Sequence, residues 1–306
     1  MESLLELMLV LLLTINCKVV HTQQQILYVK AIDDNSPCPD VTQSVQCQTL
    51  DCYASNVSAW FSSNTEMVFL EGNHSLETFI EVSSCNNFTM TGRGNALHGN
   101  DGLPQPTSWI NCDRLSNAGI HFTGSSNIHI LNIGFRSCGG IYSLENFNIS
   151  AALSFSSVNS ISISRVVTSH ALGFGIYTSN IYGTVEVQDS AFLHTEQRQS
   201  FEGGNAKFYF EKTLDHEASL TIKSSWFMYG RNKPKKNGYY TAAGGLNVYI
   251  RCSGVNVTIV NVTSHGNTGT HGGNVALYLS TEGSTIVVDR SRITGGRATK
   301  GGGLRF

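Results

Sequence analysis

The chain has 306 residues, with 20 Lys and Arg against 22 Asp and Glu and a formal net charge of −2, so it offers no field for a polyanion such as nucleic acid. Only 14% of residues are charged, 30 are Gly and 5 are Pro. β-branched residues are abundant and 3.6-residue periodicity is scarce, which argues against a helical architecture.

Residues 1–22 read as a signal peptide. Leu7 to Ile15 is an apolar run too short to span a bilayer, although Glu2 and Glu6 stand where a basic residue is expected. The competing reading is a buried N-terminal strand. No later stretch is long and apolar enough for a transmembrane helix. Residues 23–65 read as an N-terminal cap. Ile26 to Val29 is a strand, and Cys38 and Cys47 bracket a Pro/Asp/Ser-rich loop and are expected to pair. Thr49 N-caps a helix with Leu50, Tyr53, Ala54, Val57, Trp60 and Phe61 on one face. Met67 to Leu76 then gives a strand, a Gly turn and a second strand. Phe88 to Gly92 closes a first coil, and a longer loop, Arg93 to Ser108, precedes Trp109.

From there one pattern recurs, Ile-x-Ile-x-x-small-x-apolar. It reads Ile128/Ile130/Ile133/Phe135, Ile161/Ile163/Val166, Val185/Val187/Ser190/Phe192, Leu220/Ile222/Ser225/Phe227, Val257/Ile259/Val262 and Ile286/Val288/Ser291/Ile293. The first positions lie 33, 24, 35, 37 and 29 residues apart. A second apolar run trails each, as at Gly175-Ile176-Tyr177, Phe208-Tyr209-Phe210 and Val275 to Leu279. Constant alternating strands with variable spacers describe a solenoid with one continuous core, whose loops accept insertions. Asn132, Arg165, Asp189, Ser224, Asn261 and Arg290 occupy one turn position of the repeat. The last coil breaks off at Gly301 to Phe306 with nothing to cover it, so residues 66–306 are expected to be incomplete at the C-terminus.

These Ile-x-Ile-x-x-Ser-x-Phe and Gly-Gly-Leu runs, with the helix-then-strand opening, resemble the right-handed parallel β-helix (pectin-lyase-like) superfamily. Within it, they are similar to the extracellular β-helix repeat proteins of simple animals. The resemblance covers roughly residues 26 to 306. It implies an all-β fold, a single-stranded right-handed parallel β-helix solenoid with a short N-terminal capping helix. For function it implies little, because the fold hosts lyases, hydrolases, adhesins and spacers.

Cysteines and sequons agree with secretion. Of eight Cys, Cys17 lies in the leader. Cys112 and Cys138 are about one coil apart and are expected to pair, since stacked strands lie ~4.8 Å apart, which suits a disulfide. Cys52 and Cys85 could tie the cap to the first coil, and Cys252 is the one left over. Asn-x-Ser/Thr acceptors stand at Asn56, Asn73, Asn87, Asn148, Asn256 and Asn261, the last with a turn role that needs no glycan.

Carbohydrate-active members of the superfamily need carboxylates converging from adjacent coils. The outward column His129, Ser162, Glu186, Thr221, Thr258, Val287 and the next, Leu131, Ser164, Gln188, Lys223, Val260, Asp289, hold no adjacent acids. The Asn-Thr-Asp, Asp-Asp, Gly-His-Gly and Arg-Ile-Lys pattern of galacturonan hydrolysis is missing, and Ser264-His265-Gly266 is a partial echo. Asp33 and Asp34 read as a turn. His265 and His271 flank one turn but lack further ligands, so no metal and no cofactor is assigned. Arg231 to Lys236 reads as a solvated basic loop, and Phe135, Phe192 and Phe227 as a core stack.

Lys207, Tyr209, Asn247, Tyr249, Ala276 and Tyr278 are expected to point outward. Tyr209, Tyr249 and Tyr278 then form a ladder, with Trp226 also outward. Sheet stability alone is the simpler account of such tyrosines, which favour strands and stack across them. The chain is therefore read as a secreted or cell-surface module that binds an extracellular glycan or protein without catalysis. The surface location requires an anchor on a longer form. The alternatives are a polysaccharide lyase or glycoside hydrolase, and a purely structural spacer.

Overall fold

The computed structural model describes residues 24–32, 46–94, 97–112, 117–144, 147–196, 204–211, 218–231 and 243–306. The leader, Cys38, Asp33, Asp34 and most of the Arg231 to Lys236 run lie outside the described residues.

Alternating apolar residues form short strands that stack coil on coil into three long sheets of 10, 9 and 8 strands. Sheet A holds the Ile-x-Ile runs. Its strands Ser126–Leu131, Ile161–Ser164, Thr184–Gln188, Ala218–Lys223, Val255–Val260 and Thr285–Asp289 pair in parallel. Ile128, Ile161, Val185, Leu220, Val257 and Ile286 fall in one register column, as the repeat requires. Sheet B follows after a corner of one or two residues and includes Ile133–Arg136, Ala191–Leu193, Trp226–Met228 and Arg292–Thr294. Sheet C holds the trailing runs, among them Phe174–Ser179, Gly204–Phe210, Leu246–Ile250 and Val275–Leu279. The chain is a parallel β-helix. Its parallel crossovers take the right-handed sense that twisted strands impose. Antiparallel pairing among the described residues is confined to local excursions, Gly140–Leu144 on sheet C and the hairpin Leu97–His98 with Pro104–Gln105.

The corners explain the composition. Asn132, Arg165, Asp189, Ser224, Asn261 and Arg290 make the bend from sheet A to sheet B with φ between 45° and 54°. That conformation costs a side-chain-bearing residue about 1–2 kcal/mol. Five of these six corner N–H groups offset the cost by continuing the ladder into the next coil, as in Asn132 N to Ser164 O at 3.0 Å and Asn261 N to Asp289 O at 3.1 Å. Ser137, His170, His194 and Tyr229 repeat the device from sheet B to sheet C, with φ of 59°, 55°, 52° and 57°. The motif serines have a defined role: the Ser190 hydroxyl donates to Gln188 O at 2.7 Å and accepts from Val166 N at 3.1 Å, stitching one corner to the next coil.

Inside, aromatic rings stack in columns, Phe122 on Phe155 at 5.3 Å and Phe192 on Phe227 at 5.1 Å. Phe135 is buried in the same column, but the buried Thr168 stands in register between it and Phe192, so the expected three-ring stack is interrupted. Cys112 and Cys138 form the expected disulfide, with Cα atoms 4.8 Å apart. Cys47 is disulfide-bonded. Cys52 and Cys85 do not pair: Cys52 faces solvent from its helix, while Cys85 is turned into the core, where burial pushes its thiol up to about 11.

The cap departs from expectation. Thr49 is extended, at φ −71° and ψ 159°, and makes no side-chain cap. The single helix is instead two, α1 (Leu50–Ala54) and α2 (Val57–Trp60), broken at Ser55-Asn56. Both residues favour turns because their side chains compete for backbone partners, and Ser55 Oγ donates to Cys52 O at 2.7 Å. The apolar face survives the break. Leu50, Tyr53 and Phe61 are buried, and the helices lie on Gly72–Leu76 and Phe79–Ser83, the first strands of sheets B and C. Gln25–Lys30 and Gln46–Thr49 extend sheet A beside them.

Candidate binding faces

The tyrosine ladder lies on the outer face of sheet C. Tyr209, Tyr249 and Tyr278 are in direct register. The Tyr249 and Tyr278 rings stack at 4.4 Å and 15°, and Tyr209 meets Tyr249 edge-on at 6.1 Å. Lys207 rises beside them, its Nζ 5.0 Å from the Tyr249 ring centre and 5.8 Å from that of Tyr177. The Arg251 guanidinium lies 5.6 Å from the Tyr209 ring and 3.9 Å from Glu211 Oε1. Burial raises the Tyr209 hydroxyl pKa above its ordinary value. The expectation of outward exposure fails for two members. Asn247 and Ala276 share the outward-facing positions but are wholly buried. The Asn247 amide donates to Ala243 O at 2.8 Å and Ala206 O at 3.2 Å, pinning the segment before its strand across the sheet.

Trp226 does not join the tyrosines. It stands on the outer face of sheet B, in register with Ala191, Thr263 and Arg292. The two outward features therefore lie on different sheets. The same outer column runs Trp109, Gly134, Val167, Ala191, Trp226. A Cβ on Gly134 would come within 2.3 Å of the Trp109 ring, so glycine lets the indole lie flat on the next coil. Arg136, on the same strand as Gly134, holds its guanidinium 4.6 Å from the centre of that ring.

A feature missed in the sequence runs along the corner between these faces. His170 stacks on His194 at 5.3 Å, His194 on Tyr229 at 4.8 Å, and His265 meets Tyr229 edge-on at 5.6 Å. Burial first, then the neighbouring His170 and Arg231 charges, lower the His194 pKa. The legible signal was position: His194 and Tyr229 each stand two residues after the motif phenylalanine. A second missed feature is internal. Asn205, Asn267 and Asn274 are fully buried and bonded to one another, Asn205 Nδ2 to Asn267 Oδ1 at 2.9 Å and Asn267 Nδ2 to Asn274 Oδ1 at 2.8 Å.

The remaining candidates fall into place. The two outward columns of sheet A hold the residues read from the repeat. Ser264 points inward and is wholly buried, its hydroxyl donating to Asn274 O at 3.1 Å, so the Ser264-His265-Gly266 echo presents no nucleophile. Among the described residues no group of three or more His, Cys, Asp or Glu is placed to hold a metal. Asn56, Asn73, Asn87 and Asn256 are exposed, and Asn148 lies in the strand Phe147–Ser156. Asn87 and Asn261 both have φ of 54° and donate their side-chain nitrogens to neighbouring coils. Among the described residues no helix is long and apolar enough to cross a membrane.

No family model matches the chain, and no curated protein matches it. Solved structures similar to it include a candidate glycosyl hydrolase from Parabacteroides merdae, 10% identical over 77% of this chain and 94% of that one, with a TM-score of 0.35. The pectate lyase Pel9A is 12% identical over 87% and 78%, with a TM-score of 0.39. Jun a 1, the major allergen from cedar pollen, is 13% identical over 89% and 78%, with a TM-score of 0.30. The fold assignment rests on the strand pairing above, and the assignment of sites rests on none of these likenesses.

Proposed function

We propose that this protein is a secreted, non-catalytic β-helix module that binds an extracellular glycan or protein through the sheet C face bearing Tyr209, Tyr249 and Tyr278. The observation that carries the reading is the ladder itself: three tyrosines in strict register, with Lys207 and Arg251 held against their rings. Tyrosine pairs an apolar face with a polar tip, which suits both sugar rings and protein contacts. Each contact is worth on the order of 1 kcal/mol, so three act weakly alone and usefully in a multivalent array. The acid-poor columns of sheet A support the absence of catalysis, and the exposed sequons Asn56 and Asn73 fit a secreted glycoprotein.

The test is a triple Tyr209→Ala, Tyr249→Ala, Tyr278→Ala variant of the full chain. The inner faces of these strands are untouched, so the variant folds, but its retention on cell surfaces or on a glycan array falls by the share that this face contributes. Unchanged retention refutes the face. Depolymerisation of pectin, alginate or glycosaminoglycan by the purified protein refutes the reading and promotes the enzyme alternative.

A further inference from the structure

The outer face of sheet B carries a second feature that the tyrosine ladder does not use. The hairpin Leu97–His98 with Pro104–Gln105 leaves the face at its N-terminal coils, and its tip stands opposite Trp226. The tip is internally braced: Leu103 N donates to Asp101 Oδ1 at 3.1 Å, and Gly99 N to Leu103 O at 2.9 Å. Between tip and sheet is a groove of about 520 Å³, with Asp101 and Leu103 on one wall and Trp226, Met228, Tyr229 and Arg292 among the residues of the other. That volume is in the range of about 300–1,000 Å³ of small-molecule sites, and the mixture of aromatic surface with a few polar groups is the usual composition of such sites.

We infer that this groove is a separate saccharide site, taking one uncharged pyranose unit of a glycan. Trp226, half-buried, offers an indole against which the C–H face of a sugar ring packs. Asp101 and Arg292 are planar groups, the carboxylate an acceptor and the guanidinium a fork of donors, and each can engage two adjacent hydroxyls at once. Their charges oppose one another across the groove. A uronate or sulfated sugar gains from Arg292 what it loses to Asp101. A peptide fits the site less well. The floor is a sheet face whose backbone is committed to parallel neighbours, leaving no strand edge for an extended chain. The site lies on a different sheet from the tyrosines, so it stands whether or not that ladder binds.

The experiment is an array of neutral gluco-, manno- and galacto-oligosaccharides beside uronate-bearing and sulfated ones, probed with the full chain. Trp226→Ala is expected to lower retention on the neutral oligosaccharides about tenfold, the loss of one buried aromatic contact. Asp101→Asn leaves Arg292 unopposed and is expected to shift selectivity toward uronate-bearing sugars, an effect that a merely structural role for Asp101 would not produce. The triple tyrosine variant keeps the neutral-sugar binding, so failure of this site and failure of the sheet C reading are separable. If Trp226→Ala does not fold, the Asp101→Asn selectivity decides, since that side chain is exposed at the hairpin tip. Retention of only anionic sugars by the unmodified chain, retention of none, or neutral-sugar binding indifferent to both substitutions overturns the inference.

Discussion

Acid should unfold this molecule through a histidine that takes no part in either binding face. His121 belongs to the outward column of sheet C but is only 4% exposed. Its Nδ1 lies 2.9 Å from Ser154 Oγ, and its ring stacks on Phe79 at 6.3 Å. Burial lowers its pKa from 6.5 to about 4, with the Ser154 hydrogen bond opposing. Below about pH 6.5 the unfolded chain therefore takes up a proton that the folded chain refuses, so stability falls as pH drops towards about 4 and the His121 contribution then levels off. The span of about 2.5 pH units at ~1.4 kcal/mol each sets the full loss on the order of 3 kcal/mol. His74, also held down by burial, shifts in the same direction. Urea unfolding of the unmodified chain and of His121→Gln, at about pH 7 and about pH 4.5, isolates the effect. The variant should be less sensitive to acid by roughly the amount above. Parallel loss of stability in both proteins across that window would refute the argument.

Three further outcomes follow from the interior. Asn267→Ala removes partners from Gly230 N–H, Phe227 O and the Asn205 and Asn274 amides; at about 1–3 kcal/mol per buried unsatisfied group, urea unfolding should show a loss on the order of 3 kcal/mol or more. Phe227→Ala opens a void against Phe192 and should cost about 3–5 kcal/mol by the same measurement, with parallel-sheet circular dichroism retained at low denaturant. Replacing Cys112 and Cys138 together by Ser releases a link between residues 26 apart and should cost about 3 kcal/mol, while non-reducing peptide mapping of the unmodified chain recovers the two as one crosslinked pair.

The repeat was legible because a parallel β-helix writes each coil in the same two-residue alternation. Six sheet A strands could be placed in register from Ile128 to Ile286, and the corner position shared by Asn132 and Arg290 was visible as well. What was hidden depends on neighbours along the axis rather than along the chain. Alternation put Asn247 and Ala276 on the outside, but both are wholly buried, and the Asn247 amide is bonded to Ala206 O and Ala243 O. Trp226 alternates outward just as Tyr209 does, and only knowledge of which sheet each strand joins separates them. The cap helix followed a sound apolar pattern, yet Ser55 and Asn56 broke it without moving its buried side chains. The His170–His194–Tyr229 stack brings together residues from three coils, a proximity that no local window contains.

The register also makes the molecule a ruler. Position around the axis is set by a residue's place within its coil, and position along it advances by one strand spacing of ~4.8 Å per coil. A substitution in one outward column therefore changes the spacing of a recognition pattern in fixed increments, without altering its bearing. The tyrosines fill three successive marks on sheet C, while Trp109 and Trp226 mark two more distant points on sheet B. Adding or deleting a whole coil between two marks would change their separation by one division and leave every other column in line. A scaffold of this kind can be retuned to the repeat length of a polymeric ligand by counting coils, with no redesign of the contacts themselves.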